Sequence, residues 1–280
     1  MTPRILQGKK DSYIILGRMN NGCGKNSVAL GTTTSKKVFV KEPFIDGQQS
    51  FDYYYREMFV LENVRHPNLT ALYDSDADGD YFLAMHHLEG QDVGDLLDDE
   101  EVLKPVVCAG ILSQVCDGLS ALHDAGFIHR DVKPSNVFLT NGRAVLIDFG
   151  LSYHPEIAHL DNDAVFGTPC YISPEQIFGR EVTPASDVYS LGIMLYEMLV
   201  GKLPFNAKDT WTTLVQQVHA QLPNPSLENP AVPEKLSAVI FRATAKNLQS
   251  RIQTAQDFKN ALLAAVSEVA KKYSACAPAF

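Results

Sequence analysis

The sequence has little cysteine, and the cysteines that it has are scattered. Its 280 residues include Cys23, Cys108, Cys116, Cys170 and Cys276. An odd number without a close pair fits neither a disulfide framework nor a zinc-type or redox-type motif. We therefore expect free thiols in a reducing compartment, buried and inert, with reactivity left open for Cys170 alone.

The sequence also lacks an excess of basic residues and any long apolar run. Its net charge of -9 and its pI of about 5.3 argue against binding to nucleic acid or to anionic membranes. Residues 1–4 lead into no apolar signal core, and the most apolar run, residues 191–200, is too short to cross a bilayer. We expect a cytoplasmic domain that makes no membrane contact itself, while an anchor elsewhere in a longer protein stays open.

Two short motifs lie close together in the middle of the chain. Residues 129–136 read His-Arg-Asp-Val-Lys-Pro-Ser-Asn, and residues 148–150 read Asp-Phe-Gly. Between them, two apolar runs flank an Asn-Gly pair, a pattern that predicts a β-hairpin. The hairpin would bring Asp131, Asn136 and Asp148 together beside a lysine. Carboxylates, an amide and a lysine in one place suit phosphoryl transfer from Mg-ATP.

These motifs resemble the catalytic loop and the metal-binding motif of eukaryotic-like protein kinases, and the lysine two residues after Asp131 resembles the serine/threonine subclass. The resemblance extends over residues 12–270 and implies an α+β, bilobal, protein-kinase-like fold. The small N-lobe, residues 1–88, would hold an antiparallel sheet and one helix. The larger and mainly helical C-lobe would cover residues 89–270, followed by a tail at residues 271–280.

The resemblance assigns a role to each polar side chain of these motifs. Asp131 would orient the acceptor hydroxyl and take its proton, and Lys133 would neutralise charge on the transferred phosphoryl group. Asn136 and Asp148 would hold Mg²⁺, with Mn²⁺ as an alternative metal. Thr168 would bridge Asp131 and Lys133. The implied cofactors are therefore ATP and a divalent cation.

A lysine and a glutamate are expected to position the phosphates. Residues 36–42 predict a strand, and Lys41 resembles the family lysine that contacts the α and β phosphates. The apolar spacing of residues 51–64 predicts an amphipathic helix, on which Glu57 would pair with Lys41. One departure is Phe39, which stands where the family has a small alanine and would crowd the adenine pocket.

The expected nucleotide cleft is less regular than the catalytic motifs. Glycines should let the backbone approach the phosphates, but here their spacing is out of register with the family pattern. By resemblance, Met85 would be the gatekeeper beside the adenine. His86 and Leu88 would belong to the hinge, and Asp92 would accept from the ribose hydroxyls. The predicted nucleotide-binding residues are Gly17, Gly22, Gly24, Val28, Lys41, Met85, His86, Leu88 and Asp92.

Residues 148–175 resemble an activation segment, which in this family usually carries a phosphate acceptor. Residues 154–167 contain no serine, threonine or tyrosine. We hypothesise that Asp161 and Asp163 partly replace the phosphate by pairing with Arg130, which would give activity without phosphorylation of this segment. Exposed aspartates without such a role are the alternative.

Further contacts and helices are expected in the C-lobe. By resemblance, Asp187 would hold the backbone of the catalytic loop, and Arg251 would pair with Glu175. The acidic run at residues 92–101 is interpreted as a solvated turn and loop, with attraction of basic peptides as the alternative. Helices are predicted at residues 105–125, 185–200, 208–220, 234–245 and 255–270.

We predict a serine/threonine protein kinase that transfers the γ-phosphate of Mg-ATP to proteins, itself among them. The sequence Ser-Pro-Glu-Gln at residues 173–176 is similar to the bacterial branch of the family. The partners would be ATP and protein substrates; a preference for basic substrates and a homodimer both stay open. One alternative is a pseudokinase, a nucleotide-binding or scaffold module, which the irregular glycines and Phe39 favour. A small-molecule kinase is another, against which the substrate platform expected at residues 167–175 argues.

Overall fold

The computed structural model describes residues 4–19, 25–43, 48–76, 79–161 and 167–275. Within these residues, an antiparallel sheet and one helix form a small N-terminal part, and helices dominate the larger C-terminal part. This is the α+β, bilobal arrangement predicted from the sequence; its division at residue 88 stays a prediction. The strands are β1 (Ile5–Gln7), β2 (Ser12–Met19), β3 (Lys25–Gly31), β4 (Lys37–Glu42), β5 (Leu72–Asp76), β6 (Phe82–His86), β7 (Gln91–Asp92), β8 (Val137–Thr140) and β9 (Arg143–Leu146).

The described strands β1 to β6 form one antiparallel sheet in the order β1-β2-β3-β4-β6-β5. Side chains alternate between its two faces, since the strand repeat is two residues. Val38 and Val40 of β4 are buried on one face, in a small apolar cluster that is separate from the main core. Phe39 and Lys41 therefore share the opposite face, where Phe39 packs against the main core.

Helices supply most of the main core, and their packing positions the loops between them. Helix α5 is the central one: it is apolar almost throughout and is buried along nearly its whole length, and α3, α8 and α9 pack against it. The helices are α1 (Gln48–Asn63), α2 (Val93–Glu100), α3 (Pro105–Asp124), α4 (Pro174–Ile177), α5 (Pro184–Val200), α6 (Thr210–His219), α7 (Pro225–Glu228), α8 (Glu234–Ala243) and α9 (Ala255–Ala275).

The ends of α5 follow the sequence prediction. Thr183 and Ser186 form a reciprocal capping box at its start, which satisfies N–H groups that the first helical turn leaves without partners. Gly201 ends the helix in the left-handed conformation with φ at 79°, which costs glycine little because it has no Cβ.

Some boundaries differ from the prediction. Residues 93–100 form helix α2 where a turn followed by a loop was expected, and Asp92 caps its start by accepting from the Asp95 N–H at 2.9 Å. Helix α9 continues through residues 271–275, which were expected to belong to the tail. The sequence pattern does not predict β1, α4 or α7, because segments of three or four residues are too short to show a repeat.

Among the described residues, the length and composition of helix α3 would allow it to cross a bilayer. Residues 191–200, the most apolar run of the sequence, lie in helix α5 and not in α3. Half of its most apolar window is buried inside the protein, and Leu112 and Leu119 have no exposed surface. Because α3 packs against α5, α9 and β9, we interpret it as a core helix of the C-terminal part.

Candidate active site

The carboxylate of Asp131 is the centre of a hydrogen-bond cluster. Its Oδ1 accepts from the backbone N–H and from the hydroxyl of Thr168, at 2.9 and 2.7 Å. Its Oδ2 lies 2.8 Å from the ammonium of Lys133 and 3.0 Å from Nδ2 of Asn136. The Lys133 ammonium also donates to the Thr168 hydroxyl at 2.7 Å. The predicted bridge of Thr168 between Asp131 and Lys133 is therefore present.

A short hairpin brings Asn136 and Asp148 to the same place. Strand β8 pairs with β9, and both turn residues, Asn141 and Gly142, have positive φ, as a tight two-residue turn requires. At the open end of the hairpin, the Ile147 N–H donates to the Asn136 carbonyl at 2.9 Å. Because Ile147 directly precedes Asp148, the hairpin ties the two predicted metal ligands together.

The ammonium of Lys41 lies between two carboxylates, 2.6 Å from Oε2 of Glu57 and 2.9 Å from Oδ1 of Asp148. Burial opposes the charge on Lys41, but Asp148 and Glu57 outweigh it and hold its pKa above the ordinary value. Burial also works against ionisation of Asp148, yet the nearby Lys41 lowers the pKa of that carboxyl to about 2. Burial raises the pKa of Glu57, although Lys41 opposes it. The predicted pair of Lys41 with Glu57 is formed.

Asp187 of helix α5 fixes the backbone of the loop that carries Asp131. Its two oxygens accept from the N–H groups of His129 and Arg130, both at 2.9 Å, as predicted. Its Oδ2 also lies 2.8 Å from Nε2 of His123, a contact that the sequence analysis missed. Burial would raise the pKa of Asp187, but these hydrogen bonds, above all that with His123, hold it below the ordinary value.

The guanidinium of Arg130 holds the segment that follows Asp148. It forms a two-point ion pair with Asp161, at 2.7 and 3.0 Å, and its Nε donates to the Leu151 carbonyl at 2.6 Å. Oδ1 of Asp161 lies 2.8 Å from Nη2 of Arg56 on helix α1. The predicted pair of Arg130 with Asp161 is therefore confirmed, and the role of Arg56 is an addition. The other candidate, Asp163, lies outside the described residues.

Comparison with known proteins identifies the family of this fold. The family model described as "Protein kinase domain" matches residues 17–264, which is most of the chain. The chain belongs to the protein kinase domain family. All the catalytic motif residues of the kinase domain fall inside this match.

The relatives of this kinase domain include bacterial proteins that are considerably longer than the chain. It is 31% identical over 209 residues to the serine/threonine-protein kinase PrkC of Bacillus subtilis, covering 73% of this chain and 32% of PrkC. It is 36% identical over 224 residues to Pkn1 of Myxococcus xanthus, covering 77% of this chain and 32% of Pkn1. It is 32% identical over 247 residues to PknL of Mycobacterium tuberculosis, covering 85% of this chain and 62% of PknL. The chain thus spans about a third of the length of the first two.

The end of the activation segment is anchored to the helical part of the kinase domain. Glu175 and Arg251 form a buried two-point ion pair at 2.6 and 3.0 Å, as predicted. Nε2 of Gln176 donates to the Arg130 carbonyl at 3.0 Å, which links the segment back to the catalytic loop. Burial raises the pKa of the Cys170 thiol, which opposes the alternative that this thiol is reactive.

Residues that the sequence predicts around the adenine are neighbours in the sheet. Met85 is buried and lies opposite Phe39 in the pairing of β6 with β4, so the phenyl ring stands beside the gatekeeper position on the cleft face. Val28 is the neighbour of Phe39 on β3. The His86 N–H donates to the Ala71 carbonyl at 3.1 Å, so this N–H is already engaged and cannot also serve an adenine.

The lid and the ribose site are described in part. Gly17 is exposed beside an irregularity in the pairing of β2 with β3, where a Cβ would meet no atom within 4 Å. The predicted lid residues Gly22 and Gly24 lie outside the described residues. Asp92 uses Oδ1 to cap α2, and burial raises the pKa of its carboxyl. One of its two oxygens is thus already engaged before any ribose binds.

The metal-binding candidates fit a magnesium ion that is shared with a nucleotide. Asn136 donates through Nδ2 to the Asp131 carbonyl at 2.8 Å, which leaves its amide oxygen as the hard ligand. Asp148, with its pKa of about 2, is ionised at neutral pH. Among the described residues no group of three or more His, Cys, Asp or Glu side chains is arranged to hold a metal ion. Mg²⁺ is commonly bound by one or two carboxylates together with substrate phosphates, and Asp148 with the amide oxygen of Asn136 would supply the protein's share of such a site.

Proposed function

We propose that this kinase domain transfers the γ-phosphate of ATP to serine or threonine hydroxyls of proteins, itself among them. The observation that carries the proposal is the geometry around Asp131, whose carboxylate is held by Thr168 and Lys133. The pair of Lys41 with Glu57 is assembled in the same structure. The names of the relatives, each a serine/threonine-protein kinase, also support it.

Asp131 is suited to receive the acceptor hydroxyl. Because Thr168 donates twice to its Oδ1, the carboxylate is fixed in one orientation, in which it can direct the hydroxyl and accept its proton. Lys133 would neutralise charge on the phosphoryl group. Mg²⁺ held by Asn136 and Asp148 would screen the charge of the phosphate oxygens. No covalent intermediate with the protein is needed, since positioning and electrostatic stabilisation account for catalysis of this kind.

The carboxylate of Asp161 stands in for a phosphate in the activation segment, and we infer that the domain is active without phosphorylation there. Residues 154–167 carry no hydroxyl that could accept a phosphate. Asp161 already pairs with Arg130 of the catalytic loop and with Arg56, the neighbour of Glu57 on α1. The Asp161 carboxylate thereby joins the activation segment, the catalytic loop and helix α1. The position of α1 in turn decides whether Glu57 can reach Lys41.

Basic proteins are the substrate class that the charge pattern favours. Helix α2 carries Asp95, Asp98, Asp99 and Glu100, and it packs against the turn Pro134–Asn136 of the catalytic loop. A negative rim beside the acceptor site attracts positively charged segments and raises their local concentration.

The scattered free cysteines suit the bacterial cytoplasm as the place of action.

Transfer to protein is tested with radiolabelled ATP, Mg²⁺ and myelin basic protein. We expect labelling of myelin basic protein or of the domain itself, and Asp131→Asn should reduce the rate by about 100-fold or more, because the group that orients the hydroxyl is lost. The alternative, a pseudokinase, gives no labelling above the Asp131→Asn background while Mg-ATP still raises the melting temperature. That outcome would contradict the proposed function.

A further inference from the structure

Gln217 of helix α6 holds the part of the activation segment that directly follows Thr168. Its side chain has no exposed surface, and its Nε2 donates to the carbonyls of Pro169 and Cys170, at 3.2 and 2.5 Å. The hydroxyl of Ser190 donates to the next carbonyl, that of Tyr171, at 2.8 Å. The carbonyls of three consecutive residues are thus fixed by side chains that belong to none of the catalytic motifs.

The orientation of the Gln217 amide is set by a chain of hydrogen bonds from Lys246. An ammonium group can only donate, so the Tyr189 hydroxyl, 2.9 Å away, accepts from Lys246. The hydroxyl then has its own hydrogen for Oε1 of Gln217, which at 2.6 Å is a closer acceptor than the Gln217 carbonyl at 3.4 Å. The amide nitrogen is consequently turned toward the carbonyls of the activation segment. Those carbonyls, which can only accept, require the same orientation.

Lys246, at the start of this chain of hydrogen bonds, lies against aromatic side chains of the core. Its ammonium also donates to the Gln217 carbonyl at 2.5 Å, and it lies 4.5 and 5.2 Å from the ring centres of Phe205 and Tyr189. Tyr189 is fully buried. Burial, reinforced by the charge of Arg251, lowers the pKa of Lys246 to about 8. Removing an ammonium from water is unfavourable unless hydrogen bonds compensate for the lost hydration, and here the Tyr189 hydroxyl and the Gln217 carbonyl accept from it.

We propose that Gln217, Tyr189 and Lys246 are positioning residues that shape the platform on which the acceptor peptide lies. The inference rests on the proposed function, and it takes up the substrate platform that the sequence predicts at residues 167–175. Gln217 fixes the carbonyls of Pro169 and Cys170, and the adjacent Thr168 is bound to Asp131. The acceptor peptide would therefore meet a segment of fixed shape next to Asp131. In the part of the chain that the structure describes, the three residues form no hydrogen bond or ion pair with Lys41, Asn136 or Asp148. We therefore expect them to affect the protein substrate and not ATP.

Steady-state kinetics separate this role from a general structural one. Gln217→Glu keeps the size of the side chain but removes the donor that serves two carbonyls, and Tyr189→Phe keeps the ring and removes the hydrogen-bond chain. We expect each to raise KM for myelin basic protein by about tenfold, with KM for ATP unchanged, because a buried acceptor left without its donor is costly. Lys246→Met should act in the same direction. The matched control is Lys208→Met, an exposed lysine just before α6, which should leave both constants unchanged.

Hydrogen exchange tests the same proposal without catalysis, so it stays informative even if the wild-type domain labels no protein. In Gln217→Glu and Tyr189→Phe, amides of residues 167–173 should exchange faster, while those of residues 129–136 keep the wild-type rate. Equal acceleration of both segments means loss of general stability, and it would overturn the proposal, as would unchanged exchange in both. A kinetic result in which kcat falls with both KM values unchanged would also overturn it.

Discussion

Arg130 and Asp161 form a two-point ion pair, with Nη1–Oδ2 at 2.7 Å and Nη2–Oδ1 at 3.0 Å. The same carboxylate lies 2.8 Å from the buried guanidinium of Arg56 on helix α1. Two guanidiniums around one anion form the kind of site in which a phosphorylated side chain orders an activation segment. Here an aspartate of the chain occupies it, so that α1 and the catalytic loop are joined without a phosphate.

Asp161→Asn is therefore expected to lower the rate of phosphoryl transfer by about tenfold or more. The substitution removes the negative charge that both Arg130 and Arg56 pair with. The rate is measured with myelin basic protein on protein that has been treated with a phosphatase. Adding Asp163→Asn tests the second aspartate that the sequence singled out. Glu156→Gln, an exposed acid of the same segment, is the matched control and should keep the wild-type rate. Equal rates for Asp161→Asn and wild type would refute the role of Asp161.

Lys41→Met should reduce kcat/KM for ATP by about 100- to 1000-fold, since it removes the cation that lies between Glu57 and Asp148. It should also destabilise the domain, because Glu57 is buried and loses its partner. Initial rates over a range of ATP concentrations and thermal denaturation measure the two effects. Lys37→Met, an exposed lysine of the same strand, is the control for both. Wild-type kinetics in Lys41→Met would contradict the assigned role.

Asp187→Asn should destabilise the domain by about 3 kcal/mol near neutral pH, because a buried carboxylate that accepts from two backbone N–H groups and His123 is lost. The pKa of Asp187 lies below its ordinary value. Its contribution is therefore present above the unfolded pKa of about 4 and is lost as the pH falls through the native pKa. Urea unfolding of both proteins at pH 6 and at pH 3 should show a narrower difference at the lower pH. A difference that widens on acidification would rule out this account.

Gly90→Ala should lower the free energy of unfolding by at least about 2 kcal/mol. Its φ is +148°, a conformation that other residues rarely adopt, and a Cβ would lie 1.9 Å from the Leu139 carbonyl oxygen. Gly110→Ala is the opposite case, because Gly110 lies in helix α3, where a Cβ would meet no atom within 4 Å apart from the helix backbone and the adjacent residues. Alanine there should stabilise the helix by up to about 1 kcal/mol. Chemical denaturation of both variants checks the pair, and equal effects would contradict it.

Some contacts could be expected from the sequence because they lie within motifs or follow a local pattern. The Asn-Gly turn between β8 and β9, the capping of α5 at Thr183 and its end at Gly201 depend on residues a few positions apart. The order of Lys41, Glu57 and the catalytic loop likewise carried a family resemblance, and the structure brings these residues together.

The family and the residues grouped around Asp131 could be inferred from the sequence, since both depend on the identity and spacing of a few residues. The partners that these residues meet over long separations depend instead on how the elements pack. His123 reaches Asp187 across 64 positions, and Gln217 reaches Pro169 across 48. Arg56 belongs to none of the motifs, and packing alone brings its guanidinium to Asp161. Such contacts leave no local pattern, because packing and not spacing along the chain brings the side chains together.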